Sequence, residues 1–155
     1  MLRSPDLLGL TVKDVRKRNR VMRDTLDLPT ANKGRGVRCT LSEKTRAALE
    51  HWIDYANKRP SDYVFTGRYL GRSKVLSSRQ LHRLVKEWAE SIGLDGSSYG
   101  IETLRRTRSI YILKHTGDLE ALAALLGLKD ARSTARYLSS SDPSDALMVS
   151  RTYEF

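Results

Sequence analysis

The spacing of apolar residues changes partway along the chain. Up to Leu41 they fall in short groups or in alternation with charges, and beyond Ser42 they recur three and four apart. The first pattern suits short extended segments and the second suits helices with one buried face. Ser4-Pro5-Asp6 reads as a helix start, with a capping hydroxyl, proline at the first helical position and an acid in the first turn. That helix must be short, because Gly9 follows Leu7 and Leu8 and a strand-like stretch begins at Thr11. Residues 20–28 and 36–41 read as two further extended stretches, with Val and Thr set among charges. Pro29 to Gly36 holds Asn, Lys and two glycines and reads as a hairpin connection. A small antiparallel sheet of about three strands is the expectation.

Ser42 caps a helix carrying Ala48, Leu49, Trp52, Ile53 and Ala56 on one face, and Pro60 lies beyond its end. Tyr63-Val64-Phe65 is a short extended piece closed by Gly67. A second strong helix runs from about Ser78, with Leu81, Leu84, Val85, Trp88 and Ile92 aligned and Gly93 after it. Residues 96–100 form a loop, 101–115 and 119–126 are helical, and a short helix carries Tyr137. Residues 139–155 form a tail without a clear pattern. The chain thus reads as α+β, mostly helical, with a small antiparallel sheet near its amino end. Trp52 and Trp88 are expected in the core, and Cys39 is expected to serve packing.

At 155 residues the chain fits one domain able to bury a core, and 39% hydrophobic with 30% charged residues fits a globular protein. Twenty-eight basic residues against eighteen acidic ones give a net charge of +10. That excess points to a polyanionic partner, foremost nucleic acid, because neutralising phosphates releases condensed counterions. The run Lys13, Arg16, Lys17, Arg18, Arg20 and Arg23 is either a solvated face or a lining for duplex phosphates. A single cysteine allows no internal disulfide. No apolar run reaches the length of a membrane span and the start lacks the layout of a signal peptide, so a cytoplasmic protein without membrane association is expected. Paired His/Cys ligand spacing and a Gly-x-x-x-x-Gly-Lys loop are both missing, so neither metal nor nucleotide cofactor is expected.

The most informative segments are Leu104-Arg105-Arg106-Thr107, the apolar stretch from Asp118 to Gly127, and Ser133-Thr134-Ala135-Arg136-Tyr137-Leu138. Their order resembles the second conserved box of the tyrosine recombinases, the phage integrase family: an arginine on one helix, a Leu-Leu-Gly turn, then a nucleophilic tyrosine. Met1 to Val15 resembles the first box of that family, and the likeness covers nearly the whole chain. It implies the catalytic-domain fold of these DNA breaking and rejoining enzymes over residues 1–155. It also implies a partial domain, lacking the first catalytic helices and the separate DNA-clamping domain of the family. The reaction implied is DNA recombination or integration through a 3′-phosphotyrosine, with no cofactor. Double-stranded DNA would be the partner, a homotetramer would assemble on it in the full-length family member, and a monomer is expected for this chain alone.

The resemblance assigns Tyr137 as nucleophile and Arg3 and Arg105 as phosphate clamps. Asp6 would support Arg3, and Lys33 would be general acid to the 5′ oxygen, with Arg35 as the fallback. Arg35, Arg106, Arg108 and Arg136 would contact DNA. Leu147, Met148 and Val149 would dock on a neighbouring protomer. Two positions depart from the family pattern. Glu102 stands where a histidine is usual, and either an acid–base role or a salt bridge to Arg105, the blander account, fits a carboxylate there. Leu128 stands where a His or Trp usually donates to the phosphate, and it cannot donate. Those departures keep two other readings open: a recombinase-like DNA-binding module with weak or no catalysis, and a type IB-like topoisomerase. His51, His82 and His115 lie outside the matched boxes and read as surface or packing residues.

Overall fold

A computed structural model describes residues 2–28, 37–67 and 74–139. Its elements are α1 (Ser4–Leu8), α2 (Val12–Val15), β1 (Thr25–Leu28), β2 (Val37–Thr40), α3 (Glu43–Tyr55), α4 (Ser78–Ser91), α5 (Ile101–Thr116), α6 (Leu119–Leu126) and α7 (Ala131–Ser139), with a 3-10 turn at Gly96–Ser98 before α5. The class agrees with the sequence reading. The sheet is smaller than expected: among the described residues it has two antiparallel strands, with Thr25 opposite Thr40 and Leu28 opposite Val37. The stretch from Thr11 is not a strand. Asp14 accepts from the Thr11 backbone N–H at 2.8 Å, which caps the first turn of α2 and turns Val12 and Val15 inward. Of the expected third strand, isolated antiparallel bridges of Thr11 with Tyr63 and of Arg16 with Met22 remain.

The helix starts follow side-chain chemistry. Ser42 and Ser77 accept from the backbone N–H groups of Thr45 and Gln80, each at 3.2 Å, and Asp118 accepts from that of Ala121 at 2.8 Å. Each satisfies a donor that a helix leaves orphaned in its first turn. At α1 the expectation fails, because Ser4 is already helical and Arg3 is the N-cap, without a side-chain cap bond.

Two hydrophobic clusters hold the molecule together. Leu10, Val12, Val15, Met22, Leu26, Ile53 and Val64 form the first, with Cys39 packed at its edge as expected. Leu113, Leu119, Leu122, Leu126, Ala135 and Leu138 form the second, beneath α7. Helices α1, α4 and α5 pack in series, and α6 lies against β2, which links the two halves. The tryptophans are less buried than their helix faces suggest. Trp88 is 56% exposed, and Trp52 is partly exposed although its indole N–H donates to the carbonyl of the buried Val64 at 2.8 Å. Among the described residues no helix is long and apolar enough to cross a membrane.

Leu122 is fully buried between α6 and its neighbours, whereas Leu125 on the same helix is 41% exposed. Leu122→Ala should therefore lower unfolding free energy by about 2–5 kcal/mol, and Leu125→Ala by less than about 1 kcal/mol. Denaturant melts of the two variants check the difference.

Candidate active site

Three helices meet at the predicted nucleophile. Tyr137 lies in the last turn of α7, half-buried against the second core cluster. The start of α7 is fixed by Asp130, which accepts from the Ser133 backbone N–H at 2.7 Å. That bond holds the Asp130 carboxyl below the usual range. An Asp-x-x-Ser spacing ahead of an apolar-periodic segment is the signal that could have located this cap in the sequence.

The turn that delivers α7 is a Schellman motif. Gly127 takes φ +68°, its N–H bonds the Ala124 carbonyl, and the Leu128 N–H bonds the Ala123 carbonyl at 2.9 Å. A left-handed conformation costs most residues roughly 1–2 kcal/mol, which explains glycine here. Leu128 then packs against the second cluster, the apolar contact that accompanies such a motif. Its role is to anchor the turn, and it offers no donor to a phosphate.

Arg105 crosses from α5 to this turn. Its Nη2 donates to the Leu126 carbonyl at 2.9 Å, one of the carbonyls a helix leaves open at its carboxyl end. The side chain is only 11% exposed, and its Nη1 lies 3.9 Å from Glu102 Oε2. The phenol of Tyr137 donates to that same oxygen at 3.0 Å. The guanidinium carbons of Arg105 and Arg106 each lie 5.5 Å from the centre of the Tyr137 ring. Glu102, Arg105 and Tyr137 are thus brought together, and Arg106 joins them although the sequence reading gave it only a DNA contact. Ser109, fully buried, secures the middle of α5 by donating to the Arg105 carbonyl at 2.9 Å.

The phenol feels opposed influences. Burial pushes the Tyr137 pKa above its usual value, the positive charge of Arg105 pulls it down, the hydrogen bond and charge of Glu102 push it up again, and Arg106 pulls it down. The net direction is upward, so at neutral pH Tyr137 rests as a phenol donating to a carboxylate.

Other predicted residues lie elsewhere. Arg3 is exposed at the N-cap of α1 and takes no part in the polar contacts joining Glu102, Arg105 and Tyr137. Its helix connects to theirs through α4. Asp6 lies in the first turn of α1. Arg108 is exposed over the Tyr111 ring at 5.1 Å, and Arg136 is exposed on α7. Lys33, Arg35, Leu147, Met148 and Val149 fall outside the described residues. His51 stacks on Tyr55, and His115 bonds the Tyr111 carbonyl through Nδ1 at 2.8 Å, both exposed. Five of the basic run, Lys13, Arg16, Lys17, Arg18 and Arg20, line a cleft of about 430 Å³ together with Arg59, and there Asp54 pairs with Arg16 at 2.8 Å and with Arg20 at 3.8 Å. No cluster of His, Cys, Asp or Glu able to hold a metal occurs among the described residues.

Comparison with known proteins identifies the family and the fold. The model of the family described as "Phage integrase family" matches residues 1–143. Tyrosine recombinase XerC of Shewanella amazonensis is 29% identical over 143 residues, an alignment covering 89% of this chain and 44% of that protein. Tyrosine recombinase XerC of Actinobacillus pleuropneumoniae is 31% identical over 138 residues, covering 88% and 42%. The chain therefore spans less than half the length of these relatives. Among solved structures, XerA recombinase shares the fold with a TM-score of 0.70 at 16% identity, over 99% of this chain and 52% of that one. The XerH site-specific recombinase bound to its palindromic difH substrate gives 0.68 at 18% identity, over 96% and 41%.

Ultraviolet difference titration of the wild type against Tyr137→Phe should show Tyr137 ionising at higher pH than a free phenol. Glu102→Gln should lower that pKa, because it removes a negative charge that favours the neutral ring while leaving both arginines. An unchanged or raised pKa in Glu102→Gln would contradict the assigned electrostatics.

Proposed function

Since the chain belongs to the phage integrase family, we propose that it cleaves and rejoins double-stranded DNA through a covalent 3′-phosphotyrosine at Tyr137. The observation that carries this reading is a tyrosine hydroxyl held beside two arginines, on a helix whose start and approach turn are both fixed. The biological role is site-specific recombination or integration of a mobile element, carried out in the cytoplasm with the DNA it acts on.

The chemistry follows from the side chains. Tyr137 attacks phosphorus, and its phenolate is a fair leaving group, so the phosphodiester energy is kept for religation. Arg105 and Arg3 hold the nonbridging oxygens, because a planar guanidinium offers bidentate, permanently charged donors. Lys33 protonates the departing 5′ oxygen, with Arg35 as the alternative. Arg106, Arg108 and Arg136 engage flanking phosphates and carry no sequence information themselves. Strand exchange between two duplexes requires four protomers on DNA, while this chain alone is a monomer.

The test is a nicked suicide duplex, from which the short leaving strand diffuses away so that the adduct persists. With a pool of randomised nicked duplexes the wild type should yield a denaturation-resistant protein–DNA species, and Tyr137→Phe should yield none. Arg105→Ala should reduce the rate of adduct formation about a hundredfold or more, as expected when a donor to developing charge is lost. DNA binding without any adduct in the wild type would replace this reading with a binding module, consistent with Leu128 in place of a donor. Relaxation of supercoiled DNA without site preference would replace it with a topoisomerase.

A further inference from the structure

We propose that Glu102 is the proton acceptor for Tyr137, so that a carboxylate on the arginine helix serves as the general base of cleavage. The inference rests on the DNA-cleaving reading above and adds a catalytic residue to it.

Geometry comes first. The Tyr137 hydroxyl donates to Glu102 Oε2 at 3.0 Å, within the reach that direct proton transfer requires. The two residues come from different helices, α7 and α5, so their meeting is a product of the tertiary fold. Glu102 is held from its other side by the Arg105 guanidinium at 3.9 Å, three residues on along the same helix. Arg105 itself is pinned to the Leu126 carbonyl. The carboxylate therefore has a fixed neighbour on each side, and the phenolic proton is directed at it.

Electrostatics explain why a carboxylate works beside a phosphate. In the resting site the charge of Glu102 offsets part of the charge of Arg105 and Arg106, and after burial its hydrogen bond and charge are what favour the phenol form of Tyr137. During attack the proton leaves Tyr137 Oη for Glu102, Oη bonds to phosphorus, and the bond from phosphorus to the 5′ oxygen breaks. That oxygen departs with a proton supplied by Lys33. Glu102 becomes neutral as negative charge grows on the phosphoryl oxygens. The pull of Glu102 on the Arg105 guanidinium then weakens, and repulsion of the phosphate by the carboxylate is lost at the transition state. An interaction that improves only there accelerates the chemical step. Rejoining runs the same transfers in reverse.

The experiment uses the suicide duplex and a second version carrying sulfur in place of the 5′ bridging oxygen, whose thiolate leaves without a proton. Glu102→Gln retains an acceptor oxygen but cannot take the proton. It should form adduct about a hundredfold more slowly or worse on both duplexes, the scale of general base catalysis. Glu102→Ala should regain rate on addition of formate or acetate, in proportion to concentration and more with the stronger base. Far-ultraviolet circular dichroism of both variants verifies the fold. Wild-type rates in Glu102→Gln would overturn the inference. So would a defect confined to the oxygen duplex, which would place Glu102 at the leaving group. A variant slowed on both duplexes and unresponsive to added carboxylates would make Glu102 only a support for Arg105, which also overturns it. Failure of the wild type to form any adduct would instead remove the reading on which the inference rests.

Discussion

One hydrogen bond, from Arg105 Nη2 to the Leu126 carbonyl, governs the arrangement of the site. It joins the helix that carries Glu102 and both arginines to the carboxyl end of α6, where the chain turns through Gly127 into the helix that carries Tyr137. A guanidinium at a helix carboxyl terminus meets open carbonyls and the negative end of the helix dipole. The same bond fixes the direction of the guanidinium, leaving Nη1 turned toward Glu102. One side chain therefore ties the fold to the polar contacts around Tyr137. The apolar cluster beneath, with Leu122 and Leu138 fully buried, keeps the three helices at the spacing this bond needs.

Around the tyrosine, charge is arranged as a balance. Two guanidiniums favour the phenolate, while burial and one carboxylate favour the phenol. A tyrosine that rests as the neutral phenol follows from that balance. In the proposed mechanism a carboxylate at position 102 becomes neutral on taking the proton, whereas an imidazole there would become positively charged. The departure at Glu102 is thus compatible with catalysis by a rearranged set of charges. The departure at Leu128 has a different meaning: it is a packing residue of the turn, and the site loses one donor there.

Much of the fold was legible because its helices obey local rules. Ser42 caps where spacing placed it, α6 occupies residues 119–126 as read, and Gly127 ends it in the left-handed conformation. The sheet was overestimated because a Thr11–Asp14 cap diverts into a helical turn a stretch whose β-branched residues suggested a strand. Trp88 was misplaced because periodicity identifies a face without telling how much of it is covered. Order along the chain picked out Tyr137, Arg105 and Glu102, but it carried no information on their contacts. The proximity of Arg106 to the ring and the bond between Tyr137 and Glu102 depend on the crossing of α5 and α7. The sequence around Lys33 suggested its part in the site, and that segment lies outside the described residues.

The most direct test of the account is to locate the covalent bond itself. The protein–DNA species formed on a nicked duplex would be digested with protease and nuclease, and the peptide retaining a nucleotide sequenced by mass spectrometry. The account predicts a single modified peptide, with the nucleotide joined through its 3′ phosphate to Tyr137. Attachment at Tyr99, Tyr111 or a serine, or linkage through a 5′ phosphate, would contradict it.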